Sequence, residues 1–197
     1  MQRTDPRYAS FVQILREELV PAMGCTEPIA IAYGAAKARE VLGCLPQSVL
    51  VEASGNIIKN VKSVVVPNTD GLKGIEAAAV AGIVGGKADK ILEVISEVSS
   101  EQKKGMRDFL AAHEVKVAPA EGDVVFDIII TLRAGGEYVK LRIADYHTNI
   151  VLIEKNGEVL LDHGVVSEDA KGSGLTDRSC MKCQSGLPKQ RHLHMFL

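Results

Sequence analysis

The sequence has no tryptophan, and aromatic residues make up only 4% of its 197 positions. Flat platforms for stacking nucleobases or sugar rings are therefore scarce. Neither sign of charge dominates: 23 Lys and Arg stand against 25 Asp and Glu, a formal net charge of −2. That balance disfavours a nucleic-acid surface and a polybasic membrane arm. The longest apolar runs, such as Ala77 to Val84, are far too short to span a bilayer. Met1 to Arg7 is polar and lacks the apolar core of a secretory or transit segment, so the expected location is the cytoplasm. Cysteine is also sparse. Cys25, Cys44, Cys180 and Cys183 do not make a disulfide framework in a chain of this length, and in a reducing compartment they are expected to be buried, metal-bound or reactive. Small residues are plentiful instead, with 18 Gly and many Ala and Val, the material of close helix packing and tight turns.

The length suits one good core rather than two domains. Asp5-Pro6 reads as a helix start, and Tyr8, Phe11, Val12, Leu15 and Leu19 follow at helical spacing until Pro21. Thr26-Glu27-Pro28 opens a second helix, with Thr26 as its cap, that runs to Gly43. Strands are expected over Ser48 to Ser54 and Ser63 to Val66, with Gly55 to Asn60 between them as a connector or short helix. A turn-rich loop, Pro67 to Gly74, leads into an Ala-rich helix, Ile75 to Val84, which Gly85-Gly86 ends. Asp89 to Val98 and Glu101 to His113 carry helical periodicity. Beyond Pro119 the pattern turns to strands: Val124 to Leu132, Tyr138 to Ala144, Asn149 to Glu154 and Val159 to Asp162, with Asn156-Gly157 as a hairpin turn. Helices and strands first, then adjacent antiparallel strands, predict an α+β fold over residues 1–166. From Ser167 to Leu197 no apolar period is sustained, and the expectation is a disordered tail.

Five segments carry residues with chemistry. Cys25 in Gly24-Cys25-Thr26-Glu27-Pro28 stands just before a helix N-terminus, where partial positive charge favours the thiolate that attacks carbon or ligates a metal. Glu27 beside it is an acid, a base or a first-turn charge partner. The plainer reading is a small buried cysteine at a helix entry. Asn56, Lys59 and Asn60 could hold a carboxylate, or belong to a solvated turn. Asn68, Thr69 and Lys73 lie in a loop opening onto a helix, suited to cradling a carboxylate or phosphate, or to being a loop and no more. No nucleotide P-loop or Gly-x-Gly-x-x-Gly pattern is present, which disfavours ATP and NAD. His147 and Asn149 stand at a strand junction where a histidine orients substrate or moves a proton, or is a surface hairpin residue. Cys180-Met181-Lys182-Cys183 with His192 and His194 imitates half of a zinc site, but the His-x-His spacing is wrong for one.

In combination and order these segments resemble the L-cysteine desulfidase family, which is related to the alpha chain of iron–sulfur L-serine dehydratases. The resemblance rests on Gly24 to Pro28, Asn56 to Asn60, Val66 to Gly74 and His147 to Val151 with Ile153-Glu154, and covers roughly Ser10 to Val166, with residues 167–197 expected to be a tail outside the family. It implies a lyase that splits L-cysteine into pyruvate, ammonia and hydrogen sulfide by α,β-elimination, without pyridoxal phosphate. A [4Fe-4S] cluster with one open iron is the implied cofactor, and Cys25 matches the family's N-terminal functional cysteine, a metal ligand. Cys25 and His147 thus become catalytic candidates. Asn56, Lys59, Asn60, Asn68, Thr69, Lys73 and Asn149 become candidates for binding the substrate.

Two departures accompany the resemblance. Asp70 replaces the glycine usual in the family, and a carboxylate in an anion-binding loop would repel a substrate carboxylate. The further cluster cysteines belong to a portion of the family sequence expected after Val166, so Cys180 and Cys183 inherit no ligand role, and Cys44 is expected to be structural. One cysteine does not hold a four-iron cluster. The expectation is a truncated, possibly inactive desulfidase, completed by a partner chain or acting as a homo-oligomer. L-Serine dehydratase and a non-catalytic amino-acid-binding module are the competing readings.

Overall fold

A computed structural model describes residues 4, 5, 7–19 and 21–165. The expected tail and its Cys180, Cys183, His192 and His194 lie outside the described residues, as does Pro6. The chain divides into two units, and α1 (Tyr8–Glu18) belongs to a different one from the compact unit Ala22–Val165. Asp5 does not cap α1. Its carboxylate takes the Arg7 backbone N–H and guanidinium instead, and Arg7 occupies the cap position without a side-chain bond to the helix N-terminus.

The compact unit is α+β. α2 (Thr26–Leu42) ends at Gly43, whose φ of 85° needs no Cβ. β1 (Ser48–Ala53) follows, then α3 (Gly55–Val61), α4 (Gly74–Gly85) and α5 (Ser100–Ala112). The later strands are β2 (Val115–Pro119), β3 (Asp127–Ala134), β4 (Glu137–Ala144), β5 (Ile150–Lys155) and β6 (Glu158–Asp162). They form one sheet in the order β2-β1-β3-β4-β5-β6, antiparallel except for the parallel β1–β2 pair. Asn156 and Gly157, with φ of 53° and 86°, make the expected β5–β6 turn.

Three expectations about elements fail. Ser63 to Val66 is no strand. Only Val65 pairs, in an isolated bridge with Lys73, because the Pro67 loop turns the chain straight back. Asp89 to Val98 is not a helix but a short 3-10 stretch, Ala88–Glu93, broken where Ile91 takes φ 51°. β2 is a strand where the sequence signalled none. Its short run ending in Pro119 has little alternation, and it exists by pairing with β1.

The core lies between α2, α4 and one face of the sheet. Val49, Val51 and Ala53 of β1, Ile128, Ile130 and Leu132 of β3, and Val139, Leu141 and Ile143 of β4 are fully buried at period two. Against them stand Ile29, Ile31 and the alanines of α2. α2 and α4 meet almost backbone to backbone: a Cβ on Gly82 would lie 2.1 Å from the Ala32 carbonyl oxygen. This closeness is what the small-residue composition provides. α4 is therefore buried nearly all round, and α2 is held rigidly with its N-terminus beside the end of the sheet.

Candidate functional site

The N-terminus of α2, the start of β3 and the β4–β5 loop converge. Cys25 caps α2 in position only, with no side-chain cap bond, and Gly24 before it has φ 145°. Extended backbone at Cys25 turns its thiol toward the first helical turn, where Sγ donates to Glu27 Oε2 at 3.0 Å. Thr26 does not cap the helix as expected. Its buried hydroxyl instead shares a hydrogen bond of 3.0 Å with His147 Nε2, joining positions far apart in the sequence. The His147 ring also packs on Phe126 at 4.5 Å between centroids, tilted by 56°.

The loop that presents His147 is closed from below. Asn149 Nδ2 donates to the Ala144 carbonyl at 2.9 Å, and Asp145, at φ 67°, donates its N–H to the Phe126 carbonyl at 3.1 Å. Beneath it the buried Asp127 carboxylate takes two bonds of 2.8 Å from Arg142, Nε to Oδ1 and Nη2 to Oδ2. This paired geometry also raises the Arg142 pKa, chiefly through its hydrogen bonds to Asp127. Ser54, at the mouth of α3, donates its hydroxyl to the Val125 carbonyl at 2.8 Å and so ties α3 to the same end of the sheet.

The electrostatics correct the expectation of an ionised cysteine. Burial first, then the bond to Glu27 and its negative charge, push the Cys25 thiol up to about 11. The helix N-terminus does not win, because a half-buried sulfur next to a carboxylate loses more on ionising than the dipole returns. Burial raises Glu27 too, but the bond from Cys25, its own backbone N–H, the nearby His147 and the Asn60 amide together outweigh that and hold its carboxyl below the usual range. The pair is a protonated thiol on a carboxylate.

The structure thus brings together Cys25, Asn60 and His147 through Glu27 and Thr26. It commits other candidates elsewhere. Asn68 Nδ2 donates to the carbonyls of Ile95 and Ser96 at 3.0 and 3.2 Å, and the buried Thr69 hydroxyl donates to the Val66 carbonyl at 2.7 Å. Asn149 closes its own loop. Lys73 is exposed at the start of α4, and Asn56 and Lys59 are exposed on α3. Asp70, expected to repel a substrate carboxylate, pairs with Lys103 of α5 at 2.8 Å and with Arg107 at 3.6 Å. The Asn68 loop still borders the site, since a Cβ on Gly24 would lie 3.6 Å from Pro67 Cγ. Thr26 as the partner of His147, and Phe126 as its support, carry no motif that reveals them, because both act only across the fold.

Among the described residues no three of His, Cys, Asp and Glu are grouped so as to hold a metal ion. Cys25 is half-buried at the site and Cys44, the other described cysteine, is exposed at the far end of α2. The residues present therefore do not fit a [4Fe-4S] cluster, which needs three or four cysteines.

Over 92% of its length the chain is 60% identical to a UPF0597 protein of Desulfitobacterium hafniense, covering 42% of that protein. It is 48% identical over 89% of its length to a UPF0597 protein of Treponema denticola, and 46% identical over 86% to one of Fusobacterium nucleatum, each covered to 40%. The chain thus spans about two fifths of the length of the curated relatives it matches. The first match takes in 181 of 197 residues, so it includes positions 17–181, every site residue among them, and runs past Val166. No family profile and no solved structure matches the chain.

Proposed function

We propose, from the chain's similarity to UPF0597 proteins and the resemblance of its motifs to the L-cysteine desulfidases, that the unit Ala22–Val165 is the amino-acid-binding part of an α,β-elimination lyase of the L-cysteine desulfidase type. The observation that carries this reading is the Thr26–His147 bond of 3.0 Å, which draws a histidine from a strand junction onto the helix mouth that holds Cys25 and Glu27. Glu27, kept as a carboxylate, suits the α-ammonium of a free amino acid. His147, with one ring nitrogen on the Thr26 hydroxyl, is the group to take up or return a proton there. The overall conversion removes the Cα proton, breaks the Cβ–S bond and adds one water, so that cysteine yields pyruvate, ammonia and hydrogen sulfide. A four-iron cluster is an implication of the resemblance only, and the described residues do not hold one. A partner chain carrying the rest of the family polypeptide, or a homo-oligomer, would complete the site.

L-Serine is the alternative substrate, differing only in the leaving atom. The single described cysteine at the site also supports a second reading, an amino-acid-binding module without catalysis. The test uses the intact Desulfitobacterium hafniense relative under anaerobic conditions, with sulfide and pyruvate measured from L-cysteine and L-serine. Sulfide release that falls at least a hundredfold when the counterpart of His147 becomes Gln supports the desulfidase reading. Pyruvate from serine alone turns it to the dehydratase, and turnover of neither overturns the lyase.

A further inference from the structure

The two edges of the sheet are finished differently. β2 at one edge carries Lys116 and ends in Pro119, which has no N–H to offer. Charge and proline are the usual means of keeping an edge from pairing with another chain. β6 at the other edge has no proline and no basic residue, and its two charges, Glu158 and Asp162, stand only at its ends. At its centre Val159 and Leu160 are 54% and 51% exposed, two adjacent aliphatic side chains at the register shift of the β5–β6 pair. Among the described residues β6 pairs on one side only, with β5.

A second copy of this chain is a poor occupant. Antiparallel pairing of β6 with itself about Leu160 places Glu158 of one copy against Asp162 of the other, at both ends of the ladder. Like charges directly opposite each other destabilise a strand pair. The acidic ends call for basic ends opposite, around an apolar middle. More than half the length of the relatives lies outside the part this chain spans. The compact unit also closes at Val165, three residues beyond β6 in the sequence. A segment tethered nearby pays little for pairing there.

We propose that the outer edge of β6 receives an added strand from the part of the UPF0597 polypeptide that this chain does not span, a strand with apolar residues at its centre and Lys or Arg at its ends. Main-chain bonds supply the affinity of such an addition, and side chains on alternate positions supply its specificity. The assignment is independent of the lyase reading.

Hydrogen exchange followed by mass spectrometry tests it on two intact proteins, this chain and the Desulfitobacterium hafniense relative, whose matched span includes β6. The expected result is exchange at least tenfold slower in the relative over the peptide matching 156–165, with β3 equal in both. Equal exchange over that peptide overturns the proposal, as does full protection of it in this chain alone. In the relative, a change equivalent to Val159→Lys should restore fast exchange there while leaving β3 protected, and unchanged protection counts against the added strand. A concentration-dependent dimer of this chain that Val159→Lys abolishes would assign the edge to a second copy instead.

Discussion

Cys25 stands where two opposite influences meet. A helix N-terminus favours its thiolate, while partial burial and the Glu27 carboxylate favour its thiol, and the second pair prevails. Alkylation of Cys25 by iodoacetamide, followed peptide by peptide, should accordingly rise with a midpoint near pH 11. Glu27→Gln removes the charge and weakens the acceptor, so it should speed alkylation at pH 8 by roughly tenfold. A midpoint in the ordinary thiol range for the unmodified protein would refute the Cys25–Glu27 arrangement. Asp70 illustrates the opposite lesson. Considered as a loop residue it repels a substrate, but in the fold it serves as an exposed partner for Lys103 and Arg107, in a backbone conformation (φ 56°) that suits glycine better. Surface pairs of this kind contribute little. Asp70→Gly should leave the melting temperature nearly unchanged, because a weak ion pair and a strained φ are lost together.

At the level of elements, the contact of α2 with α4 is the least forgiving. Gly82→Ala improves helix propensity by about 1 kcal/mol, yet its methyl meets the Ala32 carbonyl, a backbone atom that no rotamer can move away. Overpacking of this kind costs about 1–3 kcal/mol and more when backbone must shift. Net destabilisation in urea unfolding is therefore expected, and a stabilised Gly82→Ala would mean the two helices stand further apart. α5 depends on its cap instead: the Ser99 hydroxyl accepts from the Gln102 N–H at 3.2 Å while Gln102 Oε1 takes the Ser99 N–H at 2.9 Å. Ser99→Ala should cost about 1 kcal/mol, seen in the same unfolding experiment. The long periodic helices and the β3 to β6 strands were legible because their patterns are local. β2 and the segment Ser63 to Val66 were not, since a short apolar run becomes a strand only if a neighbour pairs with it.

For the whole molecule, the ligand inventory decides what it does alone. With a single cysteine at the site among the described residues, anaerobic reconstitution with iron and sulfide should leave the chain well short of one four-iron cluster, read by iron and sulfide content. A stoichiometric cluster would show that the chain supplies the missing ligands itself. The sequence by itself determined the α+β class, the helix that begins at Thr26, the small-residue composition that lets two helices touch, and the family resemblance, because each is written in neighbours a few positions apart. Only the tertiary structure decided that Thr26 bonds to His147 rather than capping its helix, that Cys25 keeps its proton, and that Asn68, Thr69 and Asp70 brace a loop. Those outcomes depend on which distant group arrives within hydrogen-bonding distance and how much water it displaces, and spacing along a chain records neither.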